Sequence, residues 1–206
     1  MTPNRAVFLD LNGTLVLPLK QETLNKMYII PGANLAIQRL LAVGFVCPVV
    51  TIQARIEKGL FNEKDFHDWF KEFFGKHRVD VKGPYVCPHR FSNPCECKKP
   101  SPLLYERAAK DLNLNLSRSY VIGDSLEDIQ AAIAFGGTGC LVRTGWAADS
   151  RIVEAARSTA HFIGPSIAEA VDWIIARNEP VNEFNVVKHA NTRLAVVNLR
   201  RFDGSL

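Results

Sequence analysis

Short apolar runs alternate along this chain with longer stretches whose apolar positions recur at helical spacing. Residues 5–10 (RAVFLD) form an apolar run that closes on a carboxylate, and residues 45–51 (FVCPVVT) form a second. Residues 81–87 give a third, interrupted by Gly83-Pro84, and residues 119–124 (SYVIGD) a fourth that again closes on an aspartate. Each reads as a strand, although Pro48 fits poorly in the second because proline removes a ladder donor. Helical patterns lie between them. Residues 32–43 carry Leu35, Leu40 and Leu41 and stop at Gly44. Residues 63–74 place Phe66, Trp69, Phe70, Phe73 and Phe74 at a spacing that predicts a core-facing stripe. Ser101-Pro102 predicts a helix start, with serine as N-cap and proline at the first helical position. Residues 126–135 predict a helix closed by Gly136-Gly137. Residues 140–144 and 160–163 read as further strands, with helices near 149–157 and 166–177.

Such alternation predicts an α/β fold, a parallel sheet with helices on both faces. Ligands bind such sheets at the carboxyl ends of the strands, which puts Asp10, Thr51 and Asp124 along one edge. This domain is expected to span residues 1–178. The helical period is lost after Asn178, so residues 179–206 are expected to form an extension of unassigned role.

Composition narrows the function classes. The apolar and charged shares, 47% and 22%, are those of a globular protein with a sizeable core. No apolar run has the length of a membrane span, and the first residues lack the apolar stretch of an export signal. A cytoplasmic protein without membrane association is therefore expected. The net charge of +4 is mild and its Lys and Arg are scattered, which argues against nucleic acid and suits a small anionic substrate. Monomer and homodimer are both compatible with the sequence. Three of the five cysteines, Cys87, Cys95 and Cys97, crowd around His89. With no export signal in view, that clustering points to a metal before disulfides. Cys-x-His-x5-Cys-x-Cys supplies three thiolates and one imidazole, a closed tetrahedral set typical of structural Zn²⁺. Cys47 and Cys140 lie on expected strands and read as core thiols.

The run Asp10-Leu11-Asn12-Gly13-Thr14 resembles the first motif of the haloacid dehalogenase (HAD) family, Asp-x-Asp-Gly-Thr. The resemblance implies a Rossmann-like three-layer fold and a phosphatase whose first aspartate, here Asp10, attacks phosphorus. It also implies that Thr51 hydrogen-bonds the phosphoryl group and that Lys99 neutralises its charge. Gly123-Asp124-Ser125-Leu126-Glu127-Asp128 matches the family's acidic Gly-Asp-x-x-x-Asp motif. By the same resemblance Mg²⁺ is held by Asp10, Asp124 and the backbone carbonyl of Asn12, with Asp128 as a further ligand or just behind them. The cysteine segment running into Lys98-Lys99-Pro100 is similar to that of one HAD branch. This branch comprises the D-glycero-D-manno-heptose 1,7-bisphosphate 7-phosphatases and histidinol phosphatases, which carry little or no cap domain. In this reading the zinc loop stands in for the cap, and Gln53, Arg55 and Lys98 are candidate substrate contacts.

The chain departs from that pattern at Asn12, where the family has the aspartate that protonates the leaving oxygen. An amide cannot exchange a proton in this way, and general acid–base catalysis is worth about 10²–10⁴-fold. Ile52 replaces a polar residue, Lys98 stands where arginine is common, and residues 15–30 lack the branch's histidine- and tyrosine-bearing segment. The expectation is an Mg²⁺-dependent phosphomonoesterase of carbohydrate metabolism, acting on a sugar phosphate or similar small phosphorylated substrate and slowed by Asn12. The alternative is a weak or inactive homologue that binds a phosphorylated ligand or partner protein.

Overall fold

The computed structural model describes residues 3–19 and 22–178. The chain divides into two units, Met1–Ile175 and Ala176–Leu206. The extension expected over residues 179–206 lies outside the described residues.

In chain order the elements are β1 (Val7–Leu9), β2 (Val16–Leu17), β3 (Tyr28–Ile29), α1 (Ala33–Ala42), β4 (Pro48–Ile52), α2 (Ala54–Glu57), α3 (Glu63–Lys76) and β5 (Lys82–Cys87). They continue as α4 (Leu103–Leu112), β6 (Tyr120–Gly123), α5 (Leu126–Ala134), β7 (Thr138–Val142), α6 (Ser150–Ala156), β8 (Phe162–Gly164) and α7 (Ile167–Asn178). Six strands form a sheet in the order β5-β4-β1-β6-β7-β8, every neighbouring pair parallel. A short antiparallel β2–β3 pair stands apart.

Strand residues alternate between the two faces, and the core divides accordingly. Val7, Leu9, Val49 and Ile122 pack with Ile37 and Leu40 of α1, with Phe66, Phe70 and Phe74 of α3, and with Val171 and Ile174 of α7. Phe8, Val50 and Val121 pack with Leu104, Tyr105 and Ala108 of α4 and with Ala131 and Ala132 of α5. This is the expected three-layer arrangement. The α3 stripe is core, and each buried phenylalanine there contributes about 1.5–3 kcal/mol. An Asn62 cap starts that helix, its side chain accepting from the Asp65 N–H at 2.8 Å.

Several local expectations are corrected. Pro48 is accommodated as the first residue of β4, and the β4–β5 register shifts between it and Val50. Gly83-Pro84 does not interrupt β5. The buried side of α1 is Ala33, Ala36, Ile37 and Leu40, whereas Leu35 faces solvent. The helix after Ser101 begins one residue later than expected, with Pro102 as its cap, but the Ser101 hydroxyl still accepts from the Leu103 N–H at 3.3 Å. Among the described residues no helix is long and apolar enough to cross a membrane.

Candidate active site

Parallel strands deliver the site by ending side by side. Asp10 follows β1 and Asp124 follows β6, its immediate neighbour, while Thr51 lies near the end of β4 on the other side. Lys99 arrives from the long connection between β5 and α4. Its ammonium lies 2.6 Å from Asp10 Oδ1 and 2.7 Å from Asp128 Oδ1, in a setting where Lys99 and Asp128 are both buried. Asp128 is held from its other side as well. It sits in the first turn of α5, and its Oδ2 accepts from the Ser125 N–H at 3.2 Å and the Ser125 hydroxyl at 2.7 Å.

Three glycines make room for these carboxylates. A Cβ on Gly145 would come within 1.8 Å of Asp124 Oδ2, one on Gly13 within 2.2 Å of the same oxygen, and one on Gly123 within 2.2 Å of the Asp128 carboxyl carbon. Gly13 also has φ +94°, in the region that favours glycine. Thr144 ties the two turns together by donating to the Gly13 carbonyl. Asp124 is oriented by the Trp146 N–H, 2.6 Å from its Oδ2.

Burial is the main electrostatic fact. Desolvation pushes Asp10 up to about 6, against the opposing pull of Lys99. Asp124 is pushed up to about 8 by desolvation and then by the nearby Asp10 and Asp128. Burial alone would lower Lys99, but the Asp10 and Asp128 carboxylates hold it well above the usual lysine range. Oxygens of Asp10, Asp124 and Asp128 lie within 4.8 Å of one another. Three carboxylates face one ammonium, and the excess negative charge with hard oxygen donors fits a Mg²⁺-sized divalent cation.

Asn12 is fixed from behind. Its Oδ1 accepts from Gln53 Nε2 at 2.8 Å and from Arg55 at 3.4 Å, and the same Gln53 amide donates to Thr51 Oγ1 at 2.9 Å. Gln53 is fully buried, and its carbonyl accepts from Arg55. Asp10, Asn12, Thr51, Lys99 and Asp124 all line one cavity of about 320 Å³, together with Ile52, Phe91, Ser125, Glu127, Trp146 and Ile152. Gln53 and Arg55 are not among its lining residues. Lys98 is turned elsewhere: its ammonium donates to the carbonyls of Arg90, Phe91 and Asn93.

The cysteine cluster sits at the end of β5. Cys87 Sγ lies 3.7 Å from both His89 Nδ1 and Cys95 Sγ, and Cys97 Sγ lies 3.3 Å from His89 Nδ1 and 3.9 Å from Cys95 Sγ. A tetrahedron with Zn–S bonds of about 2.3 Å has an edge of about 3.8 Å, so these four atoms fit Zn²⁺. Burial raises the Cys87 thiol to about 12, a cost that a bound cation offsets. The loop is further tied down by Glu57, which accepts from the Arg90 N–H and from Asn93 Nδ2.

Sequence patterns did not single out Phe91, Trp146 or Ile152: the first two are isolated apolar residues outside the periodic segments, and Ile152 lies on the short helix α6, where nothing in the pattern marks it as facing a site. Gly145 carries no signal of its own in the sequence, because its closeness to Gly13 depends on the fold.

Comparison with known proteins agrees with this geometry. Residues 96–170 match the HAD-hydrolase-like family model. The chain is 34% identical over 184 residues to a D-glycero-beta-D-manno-heptose-1,7-bisphosphate 7-phosphatase of Yersinia pestis, a span that covers 84% of this chain and 96% of the relative. It is 33% identical over 187 residues to the enzyme of the same name from Escherichia coli K12, covering 85% and 96%. Among solved structures, a D,D-heptose 1,7-bisphosphate phosphatase from B. bronchiseptica, complexed with magnesium and phosphate, shares the fold. Its TM-score is 0.72 at 23% identity, covering 84% of this chain and 99% of that one. With relatives of this similarity matched along nearly their whole length, the chain belongs to the HAD family, as one of its phosphatases.

Proposed function

We propose that the chain hydrolyses phosphomonoesters of small phosphorylated metabolites, with Asp10 as nucleophile. Sugar phosphates and bisphosphates are the class that the relatives' names bring forward. The observation that carries the reading is the Asp10–Lys99 pair at 2.6 Å, buried yet lining the cavity. An Asp10 carboxylate oxygen attacks phosphorus, the bond to the leaving oxygen breaks, and its electron pair departs with the leaving group. Water then attacks the aspartyl phosphate, releasing phosphate and restoring the carboxylate. Lys99 offsets the charge that gathers on the phosphoryl oxygens, and the Thr51 hydroxyl hydrogen-bonds one of them. Asp10, Asp124 and the Asn12 carbonyl would hold Mg²⁺, with Asp128 beside them. When bound, this ion neutralises phosphoryl charge and aligns the reacting oxygens. Cys87, His89, Cys95 and Cys97 would hold Zn²⁺ as a structural clip.

Asn12 is an amide at the position of proton exchange, so both halves of the reaction proceed without that help. The corresponding loss is about 10²–10⁴-fold where the leaving group needs a proton. The test is phosphate release with Mg²⁺ from a panel of sugar phosphates, sugar bisphosphates and histidinol phosphate, run beside Asn12→Asp. Turnover by the unaltered chain or by Asn12→Asp supports the phosphatase reading. If neither turns over any substrate, the alternative of a phospho-ligand-binding homologue takes its place.

A further inference from the structure

We infer that this cavity is built for an aryl phosphate monoester, whose leaving group departs without a proton and lies against Phe91 and Trp146. The inference rests on the phosphatase reading above and narrows its leaving group away from sugar bisphosphates. Three observations converge on it.

The first is the fixed amide. Asn12 Oδ1 is engaged by Gln53 and Arg55, neither of which lines the cavity. What Asn12 has left to offer is its NH₂ group, which has a weak acceptor in Met27 Sδ at 3.9 Å. An amide N–H gives a leaving oxygen a hydrogen bond but no proton. An alkoxide, about as basic as hydroxide (water, about 15.7), is then a poor leaving group. A phenoxide, whose conjugate acid titrates near about 10, leaves far more readily.

The second is the rim. Phe91 is 75% exposed and Trp146 46% exposed, yet both line the same cavity as Asp10, beside Ile52 and Ile152. Both residues are anchored through their backbones. The Trp146 N–H is bonded to Asp124, and the Phe91 carbonyl accepts from Lys98 at 3.1 Å. Covering such faces with an aromatic ring removes apolar surface from water and adds ring–ring attraction.

The third is charge. Among the described lining residues the one cation is Lys99, already shared between Asp10 and Asp128, while Glu127 adds a carboxylate. Lys98 is committed to three carbonyls. A second phosphate group would meet no cation of its own here. The volume, about 320 Å³, also suits a small ligand.

In the chemical step the Asp10 Oδ–P bond forms and the P–O(aryl) bond breaks. The electron pair leaves with the phenoxide, which is protonated by bulk water after release. The experiment measures Mg²⁺-dependent turnover of aryl monophosphates of graded phenol acidity, beside a sugar monophosphate and a sugar bisphosphate. The expected result is a steep rise in kcat/KM with phenol acidity, and an advantage over the sugar phosphates of at least about 10²-fold. Phe91→Ala and Trp146→Ala should each raise KM for the aryl substrates about tenfold, and Phe91→Tyr should restore it. Rates indifferent to phenol acidity, a preference for the bisphosphate, or unmoved KM in both alanine variants would overturn the inference. Acetyl phosphate, whose acetate also leaves unprotonated, separates the two levels. If it phosphorylates Asp10, detected as a mass increase of one phosphoryl group, while aryl preference is absent, the leaving-group inference alone fails. If no donor phosphorylates Asp10, the phosphatase reading fails and takes this inference with it.

Discussion

The carboxylate cluster and the cysteine cluster are assembled in opposite ways. Asp10, Asp124, Asp128 and Lys99 come from three separated parts of the chain: the neighbouring strands β1 and β6 deliver Asp10 and Asp124, α5 delivers Asp128, and the connection after β5 delivers Lys99. Cys87, His89, Cys95 and Cys97 fall within eleven consecutive residues, nearly all in a loop. The fold holds the first cluster against desolvation and mutual repulsion. The second cluster has little secondary structure to hold it, so a metal there adds stability. One centre is charge strain imposed by the fold, and the other is order that the chain would gain from a bound metal.

The sharpest break in that comparison is Asp10→Asn. Turnover should fall by more than about 10⁴-fold, yet the melting midpoint without metal should hold or rise, because a buried charge that opposes folding has been removed. A clear drop in the midpoint would refute the idea that this cluster is strained. Next comes the cysteine loop. Chelation, or Cys95→Ser, should cost about 3 kcal/mol, by analogy with a disulfide closing a loop of similar length. For a unit of this size that is roughly 6–12 °C in thermal melting, with metal content measured in parallel. Gly145→Ala should destabilise by about 1–3 kcal/mol through overpacking against Asp124. It should also weaken Mg²⁺ binding in a calorimetric titration, whereas an unaltered titration would mean that the glycine cradle does not position the carboxylate. Lys98→Met should cost about 1 kcal/mol by freeing loop carbonyls, with a smaller effect on KM than Phe91→Ala. The smallest effect expected is that of Asn62→Ala, about 0.5–1 kcal/mol from the lost helix cap. It should add independently to the others in urea denaturation, since Asn62 is part of neither cluster.

Much of this was legible from the chain itself. The period of apolar positions identified the parallel α/β sheet, and strand ends closing on Asp10 and Asp124 located the edge where chemistry gathers. The cysteine spacing pointed to a compact four-ligand set because all four residues are local. What the sequence hid depends on direction or on distant approach. Lys98 and Lys99 are adjacent and chemically alike, yet one meets Asp10 and the other meets loop carbonyls. Only the path of the backbone separates their roles. Gln53 and Arg55 are candidate substrate contacts by resemblance, and only the structure places both side chains on Asn12 Oδ1, one just before the short helix after β4 and one within it. Leu35 looked like core by composition, but its place on the helix circumference turns it to solvent. The β2–β3 pair is too short to carry any alternation.

The strand order holds one more consequence. After β5 the chain must leave one edge of the sheet and cross past β4 and β1 before it can add β6. The cysteine loop, Phe91 and Lys99 all ride on that single crossing, whereas the nucleophile and the acidic ends of β1 and β6 do not. The three carboxylates and the Phe91 part of the rim are thereby carried on different stretches of polypeptide, and Lys99 is the catalytic group that the crossing itself delivers. Replacements at residues 91–94, between the cluster members His89 and Cys95, would recast what the cavity admits while leaving Asp10, Asp124 and Asp128 in place. The crossing is thus the stretch where a change of sequence reaches the cavity mouth without touching the ends of β1 and β6.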